Sequence, residues 1–212
     1  MSEKLKDMSI AAFVDLTASD APAPGGGSVS ALFGSLSAAL TGMVAGLTVG
    51  KKKYVEVEAE MREVAAAAEA LKKELVEEID RDSESFNEFM AAMALPKNTD
   101  EEKAARKAAM QNGLKSAAKV PCHVAETAAR IFPLAKTVVE RGNMNAVTDG
   151  LVAAMAARTA VIGAGLNVKI NLASIEDEDF VAEYSARVAA LEEQAIAAER
   201  EIFALSELTR EI

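Results

Sequence analysis

The sequence predicts an all-α fold: a single-domain bundle of long antiparallel helices spanning residues 1–212. Three observations carry that prediction. Half of the residues are hydrophobic, yet only 4% are aromatic and Trp is absent, so the core is built from Ala, Leu, Val, Ile and Met. Small side chains let helices approach closely, and Ala is the best helix former. Between about Val55 and Leu95 no Gly or Pro interrupts a stripe of Leu71, Leu75, Ile79, Phe86, Phe89 and Met93 at three- and four-residue spacing. Finally, no strand-type alternation of useful length occurs.

Taken in order, Ser9 caps a short first helix to about Ala18. The stretch Ala21-Pro22-Ala23-Pro24-Gly25-Gly26-Gly27-Ser28 cannot continue it, and Ser28 is placed to cap the apolar helix that follows. That helix, Val29 to Val49, carries no charge and is long enough to span a bilayer, but its glycines and hydroxyls favour a buried bundle helix. Gly34, Ala38, Gly42 and Gly46 share one smooth face of it, suited to close contact with another helix. After Gly50-Lys51-Lys52-Lys53-Tyr54 comes the long striped helix, ended by Pro96. Thr99-Asp100-Glu101-Glu102 reads as a capping box for a helix to about Lys119, and Pro121 and Pro133 are expected to break or kink its continuation. Gly142 is a C-cap, an Ala-rich helix runs from about Val147 to Leu166, and Asp177 or Asp179 starts a last amphipathic helix to about Arg210.

The formal net charge of −10 disfavours nucleic acid and anionic membranes as partners. A single cysteine, Cys122, excludes an internal disulfide. Met1–Lys6 alternates charge and no apolar run follows directly, so no secretory signal is visible and a cytoplasmic location is expected.

Asp82 is the most informative residue for chemistry. The stripe steps from Ile79 to Asp82 to Phe86, so a lone carboxylate points where the apolar side chains point. It is suited to balance a cationic substrate or move a proton, or else to pair with a basic group on another helix. Asp80 and Glu84 lie off the stripe and are expected to face water. Gly25-Gly26-Gly27-Ser28 opens a helix N-terminus, where free N–H groups attract anions; a plain flexible turn is the alternative. Lys51, Lys52 and Lys53, with the flat ring of Tyr54, form a basic island in an acidic chain, suited to carboxylates or simply solvated. A polar group of Asn143, Asn145, Thr148 and Asp149 either caps a helix, through Asn145 or Thr148, or lines the mouth of a pocket. Asn167, Lys169 and Asn171 read first as C-terminal capping residues. Arg158 sits among alanines as a partner for a buried acid. His123 is the only histidine, which excludes a multi-histidine metal site; no metal is expected.

Five stretches also resemble a known family in order and spacing: Pro22-x-Pro24-Gly25-Gly26-Gly27-Ser28, Leu47 to Tyr54, Leu95 to Lys103, Gly142-Asn143, and Leu166 to Asn171. Together they are similar to the cyclodeaminase/cyclohydrolase family, which includes the deaminase half of formiminotransferase-cyclodeaminase and free-standing bacterial methenyltetrahydrofolate cyclohydrolases. The likeness covers nearly the whole chain. The Gly-Lys-Lys-Lys-Tyr stretch and the Leu95–Lys103 stretch look most like the cyclohydrolases. Thr148-Asp149 stands where members often show Ser-Asp, and Cys122-His123 matches no family pattern.

The resemblance implies an all-α homodimer with sites near the subunit interface, a tetrahydrofolate derivative as substrate, and no prosthetic group. It implies hydrolysis of 5,10-methenyltetrahydrofolate to 10-formyltetrahydrofolate. Asp82 and Asp149 are the catalytic candidates under that reading. Lys51, Lys52, Lys53 and Tyr54 suit the folate tail, and Pro24, Gly25, Gly26, Gly27 and Ser28 suit backbone contacts to the pterin. Asn143, Asn145, Asn167 and Lys169 complete the expected binding set. All are expected in one active centre, with Asp82 beside the lysine triplet and the triple-glycine bend. Two alternatives stand: a formiminotetrahydrofolate cyclodeaminase releasing ammonia, and a non-catalytic helical dimerisation scaffold.

Overall fold

In a computed structural model, described over residues 4–209, Ser9 accepts the Ala12 N–H and opens α1 (Ile10–Thr17). The other helices are α2 (Gly26–Thr48), α3 (Glu58–Met93), α4 (Asp100–Ala129), α5 (Ile131–Arg141), α6 (Val147–Leu172) and α7 (Glu178–Ala204). Short 3-10 turns precede α1, α3 and α6, and no strand occurs among the described residues. The Thr99–Glu102 capping box forms as predicted, and Asp177 caps α7 by accepting the Phe180 N–H.

Three local expectations are corrected. Gly25, not Ser28, is the N-cap of α2, so Ser28 lies inside its first turn and is fully buried. α6 runs on to Leu172, which places Asn167 and Lys169 within the helix rather than at its cap. α4 continues through Pro121 to Ala129 without a break. Proline removes the N–H that would bond the carbonyl four residues back. Here that carbonyl, Ala117 O, accepts the Asn171 side-chain amide of α6 at 2.9 Å instead. Pro133 falls in the first turn of α5, where an N–H is not needed.

α2 and α6 are the central pair. α2 packs on α3 and α6, and α6 in turn on α4 and α7. Ser37 of α2 donates to Ala153 O of α6 at 2.7 Å. Gly34 presses on Leu75 of α3, where an added Cβ would come within 3.1 Å of Leu75 Cδ1. Gly42 sits in ordinary contact range of Ala68, whereas Gly46, expected on the same contact face, meets open space. The main core joins Leu71, Leu75 and Ile79 of α3 to alanines and valines of α4 and α6.

One side of the α2–α6 layer is uncovered. Phe33, Leu36, Met43 and Leu47 of α2 and Val152, Met155, Leu166 and Ile170 of α6 are exposed, Ile170 by 74%. Their three- and four-residue spacing puts each set in one stripe, and in an antiparallel pair the two stripes fall on the same side. Both α2 and the Met144–Leu172 stretch are long and apolar enough to cross a membrane by composition, and half of each such window is buried within the bundle.

Candidate functional site

A cleft of about 320 Å³ opens where the N-terminus of α2, the middle of α3 and the C-terminal part of α6 converge. Among the described residues, Asp82 is the only ionisable side chain lining it. As the stripe predicts, its carboxylate turns inward and is half-buried. Oδ2 accepts the Ser28 hydroxyl at 3.0 Å, and Ser28 Oγ is 3.2 Å from Ser83 Oγ. Burial pushes the Asp82 carboxyl above its ordinary value, while the Ser28 hydroxyl and backbone N–H pull the other way.

The glycines admit this geometry. A methyl group at Gly27 would overlap Asp82 Oδ1, so only glycine lets the α2 backbone lie against the carboxylate. At Gly26 a Cβ would come 3.0 Å from Asn167 Nδ2. Gly25 also lines the cleft, and Pro24 is buried just outside it. Asn167 donates to Gly163 O at 2.9 Å, which leaves its side-chain oxygen free to face a ligand. Asn171 holds both Asn167 O and Ala117 O, so the α4 and α6 walls are tied together. Lys169 points elsewhere, paired with Glu192 of α7 at 2.7 Å.

The remaining predicted residues lie at the other end of the same helices. Lys51, Lys52 and Lys53 are exposed beyond the C-terminus of α2, and the Lys53 ammonium sits 5.4 Å from the Tyr54 ring centroid. The Tyr54 hydroxyl accepts the Met144 N–H at 3.1 Å. Asn143 binds Thr48 Oγ1 through its backbone N–H and Leu47 O through its side chain. The Asn143 side chain also accepts the Asn145 N–H, so Asn143 caps the turn before α6 and neither Asn145 nor Thr148 caps the helix. Asp149 is half-buried in the first turn of α6. At 1.5 Å per residue, α2 separates Gly26 from Thr48 by roughly 33 Å, and α6 separates Asp149 from Asn167 by roughly 27 Å. Within one chain the lysine triplet and Asp149 are therefore not beside Asp82.

Ser83 and Asn171 join the cleft without having been singled out for it. Ser83 follows Asp82 and resembles any helix-surface serine until Ser28 is known to face it. Asp80, expected in water, is buried, with Oδ1 accepting the Leu5 N–H at 2.7 Å. Glu84 is exposed as expected. Arg158 does pair with a largely buried acid, Glu199, at 3.3 Å. His123 lies 3.1 Å from Glu74 on α3. Cys122 is buried, and burial pushes its thiol up to about 11, which leaves it inert. Larger hollows exist on the outer face of α7, about 790 Å³, and between α3 and α4, about 480 Å³, but neither holds a buried carboxylate at a helix N-terminus.

The chain as a whole has relatives. Residues 9–190 match the family model described as formiminotransferase-cyclodeaminase. The chain belongs to this family. Among its members, a methenyltetrahydrofolate cyclohydrolase of Methylorubrum extorquens is 45% identical over 82% of this chain and 84% of its own. The rat formimidoyltransferase-cyclodeaminase is 36% identical over 91% of this chain, which spans about a third (36%) of that longer protein. The crystal structure of the formiminotetrahydrofolate cyclodeaminase of Thermotoga maritima superposes with a TM-score of 0.85 at 31% identity, covering 95% of this chain and 97% of the other. The family and its all-α architecture thus agree with the expectation from the sequence.

Proposed function

We propose that this protein is a methenyltetrahydrofolate cyclohydrolase that opens 5,10-methenyltetrahydrofolate with water to give 10-formyltetrahydrofolate. The observation that carries the reading is Asp82, a half-buried carboxylate alone among uncharged walls, in a chain 45% identical to a protein of that name. The substrate carries a delocalised amidinium cation, which a carboxylate in a low-dielectric cleft stabilises. As water bonds to the one-carbon centre, Asp82 takes its first proton. The ring C–N bond then breaks, Asp82 returns that proton to the departing nitrogen, and the hydroxyl proton leaves to solvent as the formyl group forms. Burial raises the Asp82 carboxyl above its ordinary value, in the direction that favours its taking a proton. Asn167 and the Gly25–Ser28 backbone line the path for the pterin ring.

The working unit in this reading is a two-fold homodimer. The uncovered apolar stripes of α2 and α6 suit a second copy, and an axis perpendicular to them brings the two ends of the helices together. Lys51, Lys52, Lys53, Tyr54, Asn143, Asn145 and Asp149 of one protomer then meet the Asp82 cleft of its partner, where the lysines take the folate carboxylates. The stripes are covered by protein rather than lipid, and the protein works in the cytoplasm. The test is loss of methenyltetrahydrofolate absorbance with purified protein. The cyclodeaminase reading, favoured by the Thermotoga and rat relatives, is tested in parallel with formiminotetrahydrofolate and ammonia detection.

A further inference from the structure

We propose that Ser83 is a positioning residue that holds the Ser28 hydroxyl as a donor to Asp82 Oδ2 and so keeps the exchangeable proton of Asp82 off that oxygen. The inference rests on Asp82 being the acid–base group of the reaction above.

An ionised carboxylate only accepts hydrogen bonds, so at the 3.0 Å contact the Ser28 hydroxyl is the donor. A hydroxyl has one hydrogen. With that hydrogen committed to Asp82 Oδ2, the 3.2 Å contact between Ser28 and Ser83 requires Ser83 to donate. Ser28 is fully buried and Ser83 is 9% exposed. The chain Ser83 to Ser28 to Oδ2 is directional, and each bond polarises the next.

The direction has a chemical consequence. When Asp82 takes a proton, Oδ2 is already an acceptor, and reversing it would require both hydroxyls to turn. A proton taken by Asp82 is thereby steered away from Oδ2. No charged side chain faces Asp82 from α2, α4 or α6, because the other lining groups are uncharged. In the proposed dimer the partner's Asp149 and lysines are the added charges.

The experiment follows the Asp82 carboxyl directly by carbon-13 NMR, assigned with Asp82→Asn, in the wild-type protein, Ser83→Ala and Ser83→Thr. Ser83→Ala weakens the Ser28 donor, so the expected Asp82 midpoint rises by about 0.5–1 pH unit. With methenyltetrahydrofolate, kcat falls by about tenfold, KM stays within about twofold, and the acidic limb of the pH profile moves up with the NMR midpoint. Ser83→Thr, which keeps the hydroxyl, restores both. An unchanged Asp82 midpoint in Ser83→Ala, or no restoration by Thr, overturns the proposal. Should Ser83→Ala lose its helical spectrum, Ser83→Cys carries the same comparison with a weak donor. If the wild-type protein leaves methenyltetrahydrofolate untouched, the functional reading fails on its own, and the NMR titration still decides the role of Ser83.

Discussion

At one end of the α2–α6 pair, Ser28 and Asp82 meet at 3.0 Å among uncharged walls, so closely that Gly27 has no room for a methyl group. At the other end, the side chains of Lys51, Lys52 and Lys53 stand in solvent, with Lys53 beside the Tyr54 ring. In the proposed function, the first region works by desolvation and fixed geometry, where one atom matters, and the second by summed charge at a distance, which salt screens. A catalyst acting on a cation with an anionic tail needs both kinds of place, and in the proposed function they come from opposite ends of the same helices.

That contrast predicts a graded set of outcomes. Asp82→Asn keeps the shape of the cleft but removes the proton carrier, so kcat/KM is expected to fall by about 10²–10⁴-fold with an unchanged helical spectrum. Retained turnover would remove Asp82 from the chemistry. Replacing Lys51, Lys52 and Lys53 together by Ala should raise KM by about tenfold with little change in kcat, an effect that shrinks as salt is added. Mixing the Asp82→Asn protein with the triple-lysine variant then separates a shared site from a single-chain one. If two chains complete each site, subunit exchange regenerates about a quarter of the wild-type sites at low substrate. A mixture no more active than the sum of its parts would break the pairing of the two ends.

The smallest effect concerns stability. The Asp82 carboxyl is raised in the folded state, so between its ordinary and its raised value the native protein binds more protons than the unfolded one. Stability therefore declines as pH rises through that window. Asp82→Asn should melt at or slightly above the wild-type temperature at neutral pH, and the gap should close as pH falls towards ordinary carboxylate values. A melting temperature well below wild type at neutral pH would show Asp82 to be structural.

Much of the fold was legible because its signals are local. Ser9, Thr99 with Glu102, and Asp177 each cap the helix that follows them, and the Ile79–Asp82–Phe86 spacing turned the carboxylate inward as read. Pro121 misled because the group that compensates for it, Asn171, is fifty residues away on another helix. Asp80 misled for the same reason: the Leu5 N–H that receives it comes from the N-terminal segment. Ser83 carried no signal, since its meaning depends on which residue of α2 lies opposite. The separation of Lys51 from Gly25, by contrast, is contained in the length of one uninterrupted helix.

The missing hydrogen at Pro121 reaches further than its own turn. In a regular helix each interior carbonyl already holds a backbone N–H. One imino acid leaves a single oxygen at Ala117 without its backbone N–H, and a carboxamide from α6 fills the vacancy beside the Asp82 cleft. A residue that ordinarily weakens a helix thereby becomes the rivet by which a second helix is held in alignment.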